Sequence, residues 1–316
     1  MPDRHRDLFV SAGDGLRLYA LDAGPLVGDA LPVVCLPGLA RTSADFEPLA
    51  VALAQHAERP RRVLALDYRG RGRSEWDRDF RRYDLRVELD DVLQVLTAAG
   101  VHEAVFVGTS RGGLITMGLG AIRPALVRGA VLNDIGPVIE GKGLVRIRSY
   151  VGRLPVPRSY AEGAEILKRL SDAQFPDFGD EQWDGMARGT WRETEAGLVL
   201  AYDPQLMRTL DAVDVEAPIP PLWFLFAGLR RVRVLALRGA HSDVLSARTL
   251  AAMAEAHPRL EAVTVPGQGH APLIAGSLAD RIVRFVEAVE AEGAPAAMLP
   301  EASHEKAPVF PPGLPA

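Results

Sequence analysis

The sequence predicts an α/β protein: a mostly parallel sheet of eight strands, helices on both faces, and a helical lid inserted between the sixth and seventh strands. Three observations carry this. Short strand-like runs recur along the chain with helix-like segments between them. From the third run on they are continuously apolar rather than alternating, as in a parallel sheet covered on both faces. The rhythm then breaks between Pro137 and Asp214, where strand runs are few and Tyr150, Tyr160, Trp183, Trp191 and Tyr202 gather.

In chain order the runs are LFVSA (8–12), LRLYALD (16–22), LPVVCL (31–36), RVLALD (62–67), AVFVG (104–108) and GAVLND (129–134), followed after the gap by RVRVLAL (231–237) and LEAVTV (260–265). Between them, segment 83–99 sets Leu85, Leu89, Val92, Leu93 and Leu96 on one helical stripe, and Gly100 stops it. Segments 246–257 and 277–292 read as further helices, each opened by a serine in capping position. The organisation expected is a core over 1–136 and 215–292, a helical lid over 137–214, and a disordered Pro- and Ala-rich tail over 293–316.

With 316 residues the chain can bury a sizeable core. A net charge of −5 with scattered basic residues gives nucleic acid no footprint. The Arg-rich stretches 59–62 and 230–233 read as solvated strand entries. The single cysteine, Cys35, lies in an apolar run, which suits a buried, inert thiol in a reducing compartment. The longest apolar stretch, LWFLFAGL (222–229), is too short to span a bilayer, and no secretory leader is legible, so the expectation is a cytoplasmic protein without a membrane partner. No His/Cys cluster has metal-ligand spacing, and no glycine turn reads as a nucleotide loop; no cofactor is expected.

The chemistry starts at Gly108-Thr109-Ser110-Arg111-Gly112, which fits G-x-S-x-G, a serine on a sharp turn between strand and helix. Serine is a weak nucleophile near neutral pH and needs a histidine base. Of seven histidines, His270 stands apart, in the glycine-rich loop VPGQGHAPL after the last strand. That base needs a carboxylate to fix its tautomer. Asp243 in LRGAHSDVLS, after the seventh strand, is the expected acid; Asp134 in VLNDIGP, after the sixth, is the alternative. Two backbone N–H donors must meet the developing oxyanion. One is expected from Arg111 and the other from Leu39, where Gly38 turns the loop CLPGLART.

Together the segments PGL (37–39), DYRGRGRS (67–74), GTSRGG (108–113), RGAHSD (238–243) and GQGH (267–270) resemble the α/β-hydrolase superfamily, over nearly the whole chain from Leu8 to Glu292. The chain order Ser110, Asp243, His270 is similar to that family's order. One departure is Pro37-Gly38 where the family commonly has His-Gly. The resemblance implies the α/β-hydrolase fold and a serine hydrolase of small or medium, partly apolar esters or lactones. The alternative it admits is a carbon–carbon bond hydrolase of ring-cleavage products with the same triad, and, behind that, a non-catalytic small-ligand receptor. Arg111 either pairs with Asp134 as support, the favoured reading, or holds a substrate carboxylate. Trp183, Trp191 and Tyr202 either line the substrate pocket or form lid core.

Overall fold

The computed structural model describes residues 5–211 and 219–293. The expected lid boundary at Asp214 and the expected disordered tail after Gly293 lie outside the described residues.

Each of the eight strand-like runs forms a strand of one sheet. β1 (His5–Ser11) and β2 (Arg17–Ala23) form an antiparallel edge; β3 (Val33–Leu36), β4 (Val63–Asp67), β5 (Ala104–Thr109) and β6 (Val127–Asn133) follow. An insert then supplies a separate two-stranded hairpin, β7 (Trp191–Thr194) and β8 (Gly197–Leu200), before β9 (Arg233–Gly239) and β10 (Leu260–Val265) complete the sheet. Its order is β1-β2-β4-β3-β5-β6-β9-β10, parallel from β4 to β10. The central strands β3 to β6 are buried along their length, save Thr109 at the end of β5, which is why their sequences are largely unbroken apolar runs. At the edges, β1 alternates between exposed and half-buried residues, and β10 is half-buried or exposed throughout.

Helices cover both faces. On one, α1 (Glu47–Ala54) packs with α10 (Ser277–Ala291) around Phe46, Leu49, Leu53, Ile282 and Val286. The other carries α2 (Leu85–Ala98), α3 (Arg111–Ile122), α8 (Trp223–Ala227) and α9 (Ala247–Ala256). In α2 the expected stripe is buried, with Leu93 half-buried; the Asp84 side chain accepts from the Arg86 N–H, and Gly100 ends the helix at φ 68°. Ser246 caps α9 as expected, accepting from the Thr249 N–H. Ser277 does not cap α10: it is the first helical residue, and the cap is Gly276 at φ 52°, a left-handed conformation suited to glycine.

The apolar stretch LWFLFAGL contributes α8, where Leu225 and Phe226 are buried. One further expectation is corrected. The stretch 59–62 is not merely a solvated strand entry: the Arg61 guanidinium is buried and bonds Glu290, and Arg62 makes a paired contact with Asp22. Cys35 is buried, and burial pushes its thiol pKa up.

Between β6 and α8 the chain forms α4 (Gly141–Tyr150), α5 (Tyr160–Ser171), α6 (Asp180–Thr190), the β7–β8 hairpin and α7 (Leu206–Asp211). The insert is anchored on the turn after β4: Gly72 N–H donates to Ala201 O at 2.7 Å, Asp203 N–H to Gly70 O at 2.8 Å, and Tyr83 Oη to the Asp203 carboxylate at 2.6 Å. No described helix is long and apolar enough to cross a membrane.

The strand order reverses direction between β3 and β5, which opens a crevice at their C-terminal ends. The loop with Leu39 follows β3 and the turn with Ser110 follows β5.

Candidate active site

Ser110 stands between β5 and α3 at φ 50°, ψ −111°, a conformation that costs a side-chain-bearing residue energy and persists only where packing enforces it. The glycines make the packing possible. A Cβ on Gly112 would lie 2.0 Å from the Leu36 carbonyl oxygen of β3, and one on Gly108 2.5 Å from the backbone of Gly112. The Ser110 N–H donates to Asn133 O at 2.9 Å, which fastens the turn to the end of β6.

That neighbouring strand end brings a carboxylate to His270. Thr109 and Asn133 are register partners, so Ser110 and Asp134 leave their strands side by side. Asp134 also has a positive φ, 57°, and is fully buried. Its Oδ1 accepts from the Gly239 N–H at 2.7 Å; its Oδ2 accepts from Ser242 Oγ at 2.5 Å and lies 2.8 Å from His270 Nδ1. His270 Nε2 lies 2.9 Å from Ser110 Oγ. A continuous chain of contacts therefore runs Asp134–His270–Ser110.

The expected acid is corrected by this geometry. Asp243 does not meet His270; it pairs with Arg146 of α4, Nε to Oδ2 at 2.6 Å and Nη2 to Oδ1 at 2.9 Å. Burial acts to raise the Asp243 pKa, but the Arg146 guanidinium outweighs it and holds the carboxyl below its ordinary value. The physical reason is position in the sheet. β6 is the immediate neighbour of β5, whereas Asp243 lies beyond β9, one strand farther out. The β9 loop serves the histidine indirectly, through the Gly239 and Ser242 donors to Asp134.

Leu39 borders the cavity in front of Ser110, and Gly38 lies near enough that an added Cβ would make an ordinary contact, 3.9 Å, with Ser110 Cβ. Arg111 opens α3, where helix geometry leaves the first N–H groups without partners and the helix dipole favours negative charge. Among the described residues neither the Leu39 nor the Arg111 amide donates to another backbone or side-chain acceptor. The arrangement can receive an oxyanion.

The Arg111 side chain follows neither expectation. It does not pair with Asp134 and does not border the cavity; it is buried, with Nε donating to Glu88 Oε2 and Nη2 to Tyr83 O. Of the three aromatic candidates, Tyr202 lines the cavity, while Trp183 and Trp191 are buried inside the insert, Trp183 edge-on to Phe175 and Phe178.

The cavity measures about 170 Å³ and is walled largely by apolar side chains, including Ile147, Leu167, Phe175, Met186 and Ile274. Sequence reasoning missed its two guanidinium groups. Arg41 makes a two-pronged contact with Asp45 and donates to Thr190 Oγ1 at the end of α6. Arg146 is engaged by Asp243. The four-residue spacing of Arg41 and Asp45 was a local signal for the first pair; the partners of the second are 97 residues apart. Gln174, after α5, was also missed: its Oε1 accepts the His270 N–H at 3.1 Å.

Comparison with known proteins gives a consistent picture. A model described as the alpha/beta hydrolase family matches residues 33–288. The chain is similar to a 3-hydroxybutyrate-oligomer hydrolase of Cupriavidus necator, 36% identical over 248 residues, 76% of this chain and 82% of that protein. It is also similar to a 2-(acetamidomethylene)succinate hydrolase of Mesorhizobium japonicum, 27% identical over 236 residues, 74% of this chain and 79% of that protein. The crystal structure of an alpha/beta hydrolase from Novosphingobium aromaticivorans superimposes with a TM-score of 0.82 at 36% identity, covering 91% of this chain and 99% of that one.

Proposed function

The chain belongs to the alpha/beta hydrolase family and is a hydrolase, and from that premise we propose that it cleaves small or medium, partly apolar carboxylic esters or lactones through an acyl-enzyme on Ser110. The observation that carries this is the Asp134–His270–Ser110 contact chain, with both end residues held at positive φ. Ser110 Oγ attacks the carbonyl carbon as His270 Nε2 takes its proton. Asp134, accepting from Nδ1–H, fixes the tautomer and stabilises the imidazolium. The Leu39 and Arg111 amides take up the oxyanion charge. His270 returns the proton to the leaving oxygen, and a water activated by the same nitrogen releases the acyl group. The insert acts as a lid that grips the non-reacting part of the substrate and excludes water.

Pocket electrostatics support an ester without a charged anchor. Both cavity guanidinium groups are neutralised, Arg41 by Asp45 and Arg146 by Asp243. Arg111, the sequence candidate for a carboxylate anchor in the carbon–carbon reading, is committed to Glu88. A cavity of about 150 Å³ accommodates a benzene-sized guest, so the space here suits a short acyl group better than a long fatty chain. The Cupriavidus relative's substrate, an oligomer of 3-hydroxybutyrate, is an oligoester of a short hydroxyacid, so it shares the ester bond, though its chain also ends in a free carboxylate.

A panel of p-nitrophenyl esters of graded acyl length, with 3-hydroxybutyrate dimer and trimer, tests the reading. Short acyl groups are expected to give the highest kcat/KM, and Ser110→Ala to lower kcat by roughly 10⁴–10⁶-fold while remaining folded. A fluorophosphonate adduct mapped to another serine, or full activity in Ser110→Ala, overturns it.

A further inference from the structure

Beneath the active site two buried guanidinium groups share one carboxylate. Glu88 of α2 is fully buried, and each of its oxygens accepts from a different arginine: Oε1 from Arg71 Nη1 at 2.6 Å, Oε2 from Arg111 Nε at 2.5 Å. The Arg71 and Arg111 guanidinium groups and the Glu88 carboxylate lie outside the cavity lining, so none of these three side chains is in a place to touch substrate. What they touch is the backbone around the site. Arg71 Nε donates to the Leu39 carbonyl oxygen at 2.7 Å, and Arg111 Nη2 donates to Tyr83 O at 3.0 Å. Arg71 is itself pinned: its Nη1 also reaches Arg69 O, its guanidinium lies over the Tyr68 and Tyr83 rings, and its backbone bridges Tyr202.

The two residues proposed to supply the oxyanion amides, Leu39 and Arg111, come from loops after different strands, 72 positions apart in sequence. The β3–β5 pairing, with Leu36 opposite Gly108, brings the two loops together. The buried ion group ties them a second time, beyond the strand ends: Arg111 reaches Glu88 through its own side chain, and Leu39 reaches it through Arg71. We propose that Glu88 is a positioning residue that sets the spacing of the two oxyanion amides, acting through Arg71 on one loop and Arg111 on the other. The inference rests on the ester-hydrolase reading above. Burial acts to raise the Glu88 pKa, but Arg111 and Arg71 outweigh it and hold the carboxyl below its ordinary value, so the strut is charged at neutral pH. Two cations on one buried anion leave an excess positive charge out of water, which is a poor way to gain stability alone. Rigid placement of donors is what such a group supplies well, because misplacement of a reacting geometry by about 1 Å can cost about 10²-fold in rate.

The test compares Arg71→Lys, Arg111→Lys and Glu88→Gln with wild type, using a short p-nitrophenyl ester and a trifluoromethyl ketone, whose hemiketal oxyanion mimics the intermediate. Wild type is measured first: no Ser110-dependent ester hydrolysis there sinks the functional reading itself, before any variant is considered. In Arg71→Lys the positive charge beside Glu88 remains, but one ammonium cannot span both Glu88 and the Leu39 carbonyl. For that variant kcat is expected to fall about tenfold or more, with KM within about twofold and the ketone Ki rising by the same factor as kcat falls. Arg111→Lys, which loses the Tyr83 contact, is expected to shift both in parallel by a smaller factor. Glu88→Gln is expected to give the largest shift if it folds; the two lysine variants decide the matter if it does not. Variants with wild-type circular dichroism whose kcat and ketone Ki both stay within about twofold of wild type, whatever happens to Tm, overturn the proposal.

Discussion

Two aspartates near the ends of adjacent strands have opposite fates. Asp134, immediately after β6, is fully buried and receives Gly239 N–H, Ser242 Oγ and the His270 ring. Asp243, four residues beyond β9, is part-exposed; its carboxylate receives the Arg146 guanidinium of the insert, and its backbone carbonyl accepts the Gly143 N–H of the same insert. The β9 loop shows how fine the division is. Ser242 turns inward to Asp134 while the next residue, Asp243, turns to Arg146. In this structure the carboxylate that meets the histidine comes from the strand beside the one that carries Ser110, and the outer loop docks the insert.

The sharpest way to break this comparison is to remove each carboxylate in turn. Asp134→Asn is expected to lower kcat by on the order of 10⁴-fold, since an amide favours the wrong imidazole tautomer. Asp243→Asn is expected to cost less than about tenfold, acting through the Arg146 contact rather than the reacting histidine. Steady-state kinetics on a p-nitrophenyl ester reads both, and a larger loss in Asp243→Asn would return the acid to the β9 loop.

The same pair of residues marks where the sequence stops being legible. The sheet, its strand runs and the nucleophile turn could be read because their signals are local: unbroken apolar runs for strands buried on both faces, and glycines packed where a Cβ would strike Leu36. His270 could be read by elimination, being the histidine in a glycine-rich loop after the last strand. The acid could not, because two aspartates follow successive strands and only sheet order distinguishes them. The positive φ of Asp134 was a signal of a kind, since aspartate tolerates that region better than most residues, but the sequence does not display it. Arg111 was misplaced for a related reason: its partner Glu88 sits 23 residues away on α2, on a helix whose apolar stripe was read and whose buried acid was not. The β7–β8 hairpin was missed because its two strands are four residues each and lie amid helices.

Between these extremes lies the contact from the insert to the histidine. Gln174 accepts the His270 N–H, so the segment after α5 steadies the loop that carries the base. Gln174→Leu removes that acceptor with little change in size. Its expected effect is a fall of roughly three- to tenfold in kcat, with Ser110 still labelled by fluorophosphonate more slowly. Unchanged kcat would mean that the His270–Asp134 and His270–Ser110 contacts suffice to hold the ring.

The smallest effect concerns stability at the outer carboxylate. The pKa of Asp243 in the folded chain lies below its ordinary 3.8, held there by Arg146 against the opposing effect of burial. A carboxyl with a depressed folded pKa stabilises the fold above its unfolded pKa, and that contribution is lost as pH falls through the folded value. Both side chains are about one-fifth exposed, so solvent screens the pair and its worth is modest. Asp243→Asn is therefore expected to lower Tm by roughly 1–3 °C near neutral pH. The gap between variant and wild type should narrow once pH drops below 3.8, because the aspartate of the unfolded chain then takes up its proton first, and folded Asp243 follows at its lower value. Differential scanning at a series of pH values reads this directly. A gap that stays constant into strong acid would mean that Asp243 acts through shape or hydrogen bonding and not through its charge, and the contrast with Asp134 would then lie in partners rather than in electrostatics.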